Sequence, residues 1–135
     1  MEIEFEPITG RYFTLDVAKT SYRIYMEESG SGIPLLCLHT AGSDARQFRH
    51  ILCDKDITSQ FRVIAFDMPW HGKSNPPEDF QNTEYKLTVD GYKRVVTSFI
   101  AALALDKPVV MGCSMGGRIV CHLAHENPSH YRAMI

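Results

Sequence analysis

Gly112-Cys113-Ser114-Met115-Gly116 spells G-x-S-x-G, and its flanks decide how it is read. Before it runs Lys107-Pro108-Val109-Val110-Met111, apolar and strand-like. After it runs Gly117-Arg118-Ile119-Val120-Cys121-His122-Leu123-Ala124, with the character of a helix. A strand, a sharp turn and a helix in that order hold a serine hydroxyl up for attack. The two outer glycines answer to geometry. The turn brings the main chain against the following helix, where side chains at Gly112 and Gly116 would collide. The competing reading is a tight turn whose serine only caps the helix.

Two further apolar runs match the one before Ser114. Ile33 to Leu38 and Val63-Ile64-Ala65-Phe66 are nearly continuous in apolar residues, as strands covered on both faces are. Pro108 stands at the start of the third run, a position a strand tolerates. Nearer the N-terminus the pattern changes to alternation. Phe13, Leu15 and Val17 alternate with Tyr12, Thr14 and Asp16, and Tyr22, Ile24 and Met26 repeat the period after Ala18-Lys19-Thr20. An antiparallel pair with one buried face is expected there. Ser29-Gly30-Ser31-Gly32 and Asn75-Pro76-Pro77-Glu78-Asp79 read as loops.

Helical spacing fills the gaps. Ser43 or Asp44 can cap a short helix carrying Phe48, Ile51 and Leu52. A longer helix is expected from Thr83 or Thr88 to Leu105, with Tyr92, Val95, Phe99 and Leu103 on its apolar stripe. The order is β-β-β-α-β-α-β-α, and Tyr131 to Ile135 begins one more strand. Strands alternating with helices imply right-handed crossovers and a parallel sheet.

The loops after the apolar strands carry the other candidate residues. Ser114 needs an adjacent base to become a nucleophile. His39-Thr40-Ala41-Gly42 follows the Ile33–Leu38 strand, where a backbone N–H can point toward Ser114. Ala41 is the expected first donor to an oxyanion, with Thr40 and Gly42 as neighbours; the N–H of Met115 is the second. His39 reads as a histidine that holds this loop. Asp67 ends its strand where catalytic acids can occur, but the favoured reading is that it ties the Trp70–Ser74 turn through backbone N–H groups. His71 is read as structural too. Arg118, one turn past Ser114, is read as a solvated helix position.

Composition narrows the classes. With 44% hydrophobic and 22% charged residues the chain is an ordinary globular mixture. Its net charge of −2, without a basic patch, gives no footing for nucleic acid. The longest clean apolar run in the middle, Phe99 to Leu105, falls far short of the roughly 20 residues of a membrane span. The acidic start, Met1-Glu2-Ile3-Glu4-Phe5-Glu6, does not read as a signal peptide. Cys37, Cys53, Cys113 and Cys121 form no C-x-x-C pair and are expected to be buried free thiols in a reducing, cytoplasmic compartment. His122 and His125 lack a third ligand at a sensible interval, so neither a metal nor any other cofactor is expected.

Three motifs now stand in one order. Leu35-Leu36-Cys37-Leu38-His39-Thr40-Ala41-Gly42 resembles the strand and H-G-x-G oxyanion loop of α/β-hydrolases. Phe66-Asp67-Met68-Pro69-Trp70-His71-Gly72-Lys73-Ser74 is similar to that superfamily's D-x-P-G-H-G-x-S turn. Gly112 to Gly117 resembles its G-H-S-M-G-G elbow. Thr40 and Trp70 replace glycines and Cys113 replaces a histidine; none of these removes a catalytic atom. The resemblance runs from about Thr20 onward. It implies an α/β-hydrolase fold, a mostly parallel sheet flanked by helices, and a serine hydrolase of carboxylesterase or C–C-bond hydrolase type acting on a small molecule. Dehalogenases and epoxide hydrolases of this fold place an aspartate where Ser114 stands, which disfavours those chemistries. The alternative is a non-catalytic ligand binder on the same fold. The resemblance also implies later strands, a lid, and a triad acid and histidine that follow the serine. Residues 1–135 are therefore expected to be the N-terminal portion of a single domain. Its partner is the C-terminal half, as a second chain or a further segment. Alone, this portion is expected to leave an open, aggregation-prone strand edge.

Overall fold

Period-two alternation folds residues 9–29 into a hairpin. A computed structural model describes residues 1–135. In it β1 (Thr9–Val17) pairs antiparallel with β2 (Thr20–Ser29), Phe13 opposite Ile24 and Val17 opposite Thr20. Leu15, Val17, Ile24 and Met26 are buried on one face, as the alternation requires. Ala18 turns the chain with φ 55°.

The three apolar runs become neighbouring parallel strands. They are β3 (Ile33–Leu38), β4 (Phe61–Phe66) and β5 (Val109–Gly112). A two-residue strand β6 (Ala133–Met134) joins β5 in parallel, and β2 joins β4 antiparallel. The sheet order is β1-β2-β4-β3-β5-β6. β3 thus lies between β4 and β5, with Leu36 beside both Ile64 and Val110.

Continuous apolarity in β3 and β4 has the expected cause, since both faces are covered. Leu36, Leu38, Ile64, Phe66 and Val110 face one core with two helices, α3 (Val89–Ala102) and α4 (Met115–Glu126). Phe66 stacks on Phe99 of α3 with ring centroids 4.1 Å apart. Leu35, Cys37, Val63 and Ala65 face a second, smaller core with Phe48 and Leu52. Those two come from a 3₁₀ turn (Ala45–Phe48) that runs into the five-residue helix α1 (Arg49–Cys53).

Caps fix where the helices begin. Thr88 rather than Thr83 opens α3, its hydroxyl accepting from the Gly91 N–H at 3.0 Å. Asp44 rather than Ser43 opens the 3₁₀ turn, accepting from the Arg46 N–H. The hydrogen-bonded Arg46 guanidinium holds the Asp44 carboxyl below its usual range. Three short elements have no counterpart in the sequence pattern, two of them the 3₁₀ turns Phe80–Asn82 and Pro128–His130. The third, a single-turn helix, α2 (Lys55–Thr58), is capped by Asp54, which accepts from the N–H groups of Asp56 and Ile57. No helix is long and apolar enough to cross a membrane.

The cysteines depart from expectation. All four are free, but only Cys37 is buried; Cys53, Cys113 and Cys121 are exposed. Apolar neighbours in sequence misled because Cys113 sits on a turn and Cys121 on the outer side of α4. Burial pushes the Cys37 thiol up to about 12, so it stays protonated and unreactive. A thiol reagent should therefore modify up to three cysteines of the folded protein. Modification of Cys37 should appear only with denaturant, as peptide mapping will show.

Candidate active site

Ser114 sits between β5 and α4 with φ 53° and ψ −112°. An L-residue pays roughly 1–2 kcal/mol for left-handed φ, and such strain persists only where the surroundings impose it. Capping does not account for it. A capping serine is extended and accepts a helix N–H; Ser114 is neither, and its side chain makes no cap hydrogen bond. The side chain is exposed instead.

The glycines around it are set by close approach. A Cβ on Gly112 would lie 2.4 Å from the Gly116 backbone, and one on Gly116 would lie 2.1 Å from the Leu38 carbonyl oxygen. The helix N-terminus is thereby pressed onto both β5 and the end of β3. The Cys113 N–H donates to Leu38 O at 3.3 Å, so the loop leaving β3 and the turn leaving β5 start side by side.

That loop is His39-Thr40-Ala41-Gly42. Its Thr40 N–H donates to Gln47 Oε1 at 3.0 Å. Ala41 is exposed, and its N–H has no partner in the chain. Met115 is the first residue of α4, where an N–H has no intrahelical acceptor. Two backbone donors therefore stand unengaged on adjacent loops at the carboxyl edge of the sheet.

His39 is fully committed to holding the loop. Its Nδ1 lies 2.7 Å from Thr40 O, and a carbonyl only accepts, so Nδ1 carries the proton. Nε2 then accepts the Met68 N–H at 3.0 Å. The Tyr92 hydroxyl donates to His39 O at 2.8 Å. One buried ring thus joins the β3 loop to the β4 loop, and one phenol joins both to α3. No ring nitrogen of His39 is left to act as a base.

Burial holds His39 below its ordinary value of 6.5. Protonation therefore favours the unfolded chain. The stability contribution of His39 is complete above 6.5 and is lost as pH falls toward the depressed folded value. The melting temperature should decline as pH falls below the ordinary histidine value of 6.5. His39→Gln should melt lower at neutral pH but with a flatter slope across that window; an unchanged slope would contradict this assignment.

Asp67 ties two loops, one more than the sequence reading foresaw. Oδ2 accepts the Lys73 N–H at 2.7 Å, inside the Trp70–Ser74 turn. Oδ1 accepts the Ala45 N–H at 2.7 Å, at the start of the 3₁₀ turn. Gly72 makes room, with φ 53° and a Cβ position only 2.2 Å from Oδ2. The Ser74 hydroxyl closes the turn by donating to Asp67 O at 2.6 Å. Hydrogen bonds to charged groups contribute about 1.5–3 kcal/mol each. Asp67→Ala should cost about 3 kcal/mol in chemical denaturation, by leaving buried N–H groups without acceptors. His71 is buried against His39, ring centroids 5.0 Å apart. Its Nδ1 donates to Pro69 O at 2.9 Å.

Gln47 and Tyr92 escaped the sequence reading. Tyr92 lay on the apolar stripe of α3 and gave no sign that its hydroxyl would reach the β3 loop. Gln47 carries no motif at all. Arg118 is exposed on α4, as expected.

A family model described as "alpha/beta hydrolase fold" matches residues 33–135. The chain belongs to that family. It is 25% identical over 130 residues to a 2-hydroxy-6-oxononadienedioate/2-hydroxy-6-oxononatrienedioate hydrolase of Cupriavidus pinatubonensis, covering 94% of this chain and 43% of the relative. It is 28% identical over 113 residues to haloalkane dehalogenase 2 of Mycobacterium tuberculosis, covering 84% and 37%. Among solved structures, the N-acyl homoserine lactonase AidH is 32% identical with a TM-score of 0.74, covering 93% of this chain and 44% of that one. The chain spans about two fifths of the length of the curated relatives it matches.

Proposed function

We propose that residues 1–135 form the nucleophile and oxyanion-binding portion of a serine hydrolase acting on a small-molecule ester, thioester or C–C bond. The observation that carries this reading is the strained, exposed Ser114 at φ 53° and ψ −112°, with no capping bond to explain it. Ser114 Oγ attacks the carbonyl carbon and loses its proton to a histidine. The Ala41 and Met115 N–H groups hold the oxyanion that forms. Collapse expels the leaving group, which takes the proton, and water then releases the acyl group from Ser114. Similarity to a C–C hydrolase and a lactonase supports this choice. A serine at position 114 sets the chain apart from dehalogenase chemistry that uses an aspartate there.

His39 and Asp67 are both occupied by loop bonds. In keeping with the order the resemblance implies, the triad base and acid are assigned to a C-terminal half, joined as a further segment or as a second chain. The free thiols fit a reducing, cytoplasmic setting. The test is rapid-mixing hydrolysis of p-nitrophenyl acetate by the natural protein with whatever segment or chain accompanies it. An acyl-enzyme predicts a burst of nitrophenol of about one per Ser114, followed by slower turnover. Turnover without a burst that survives removal of Ser114 would sink the proposal.

A further inference from the structure

Trp70 is the largest of the five non-glycine residues with positive φ in this chain. It has φ 70°, a left-handed conformation that suits glycine, and it stands where the family's turn has glycine. Strain of this kind calls for a reason outside local folding. Its ring does not disappear into the core. It is half-buried and meets Tyr85 at 5.5 Å and Phe80 at 6.3 Å between centroids. Tyr85 and Phe80 are each 45% exposed.

Trp70 and Tyr85, but not Phe80, border an open cleft of about 630 Å³ that is also lined by Ala41, Asp44, His71 and Leu87. That volume suits a small organic ligand. Ala41 is the donor residue of the oxyanion loop, so the cleft opens beside the place where a reacting carbonyl would be held. His71 adds a polar anchor. It is 8% exposed, and its Nδ1–H is spent on Pro69 O. Nε2, the acceptor atom of the neutral ring, has no partner in the chain. It is not sealed in either, because Ser29 Oγ is the one buried side-chain polar atom without a partner. The Asp44 carboxylate on the far side is taken up by Arg46, and beside the Trp70 and Tyr85 rings the acceptor at His71 Nε2 fits a flat ring that carries a hydroxyl donor.

We propose that Trp70, Tyr85 and His71 form a subsite for a hydroxylated aromatic ring, placed beside the oxyanion loop by the left-handed backbone of Trp70. Its role as a substrate subsite rests on the serine hydrolase reading; the binding itself does not. Trp70 and Tyr85 present ring faces, Leu87 closes the apolar wall, and the ligand hydroxyl donates to His71 Nε2.

The test uses p-cresol and 4-methylanisole, which differ in the hydroxyl donor, on purified protein carrying Ser114→Ala so that no turnover intervenes. Trp70 is the single tryptophan, so one indole N–H resonance reports on the site. It should shift saturably with p-cresol. 4-Methylanisole should bind roughly 3–10-fold more weakly, the ratio one hydrogen bond supplies. By calorimetry, Trp70→Gly should weaken p-cresol more than tenfold, with a melting temperature unchanged or raised because glycine relieves the φ. That rise separates lost binding from lost folding. No saturable shift, equal affinities for the two probes, or undiminished binding in Trp70→Gly would overturn the proposal; the rings would then be a contact for another part of the protein. Failure of the hydrolase reading has a different signature, with p-cresol still binding but no acyl-enzyme burst in the unmodified protein.

Discussion

Gly116→Ala should be among the most damaging single-methyl changes in this chain. The added Cβ would lie 2.1 Å from Leu38 O, 2.8 Å from Leu38 C and 3.0 Å from Leu38 Cβ. The first two obstacles are backbone, so no rotamer change relieves them. Nor can the strand step aside, because β3 is bonded to β4 on one edge and β5 on the other. Overpacking typically costs about 1–3 kcal/mol where side chains can shift. Against backbone in the sheet centre, a loss above about 3 kcal/mol is expected, a large share of the 5–15 kcal/mol that holds a domain together. Gly117→Ala is the control. Its nearest neighbour is Gly112 O at 3.2 Å, and alanine gains up to about 1 kcal/mol of helix propensity over glycine. Urea titration should show Gly116→Ala strongly destabilised, with Gly117→Ala within about 1 kcal/mol of the parent on either side.

On the proposed function, Ser114→Ala should abolish the turnover of the whole protein without disturbing the fold. Removing a serine nucleophile from an intact triad lowers the rate by about 10⁴–10⁶-fold. Alanine keeps the same left-handed strain, and the lost hydroxyl made no cap hydrogen bond, so the melting temperature should hardly move. Ser114→Gly sharpens the point. Glycine accepts φ 53° without penalty, so this variant should be more stable than the parent by about 1 kcal/mol and equally inactive. Greater stability with lost activity is what a strained functional residue predicts.

Much of this arrangement was legible in sequence because the controlling signals were local. Period-two alternation announced the β1–β2 hairpin, unbroken apolar runs announced β3 to β5, and G-x-S-x-G announced the elbow between β5 and α4. His39 and Asp67 read as loop supports from the sequence, and in the fold both side chains hydrogen-bond to loop backbone. What stayed hidden depends on distance in sequence. Asp67 reaches Ala45 across 22 positions, and Tyr92 reaches His39 across 53. No spacing rule connects such pairs; the sheet order brings them together. The cysteines failed for the opposite reason. Apolar neighbours describe a run, but burial belongs to each residue, and Cys113 and Cys121 point away from their cores.

Intact-mass analysis after treatment with a fluorophosphonate is the most direct test that Ser114 is an activated nucleophile. The natural protein, with the segment or chain that supplies its histidine, should gain one phosphonyl group. Peptide mapping should place it on Ser114, and Ser114→Ala should stay unlabelled. An unlabelled natural protein that is folded and holds its histidine, or a label that persists in Ser114→Ala, would contradict the account.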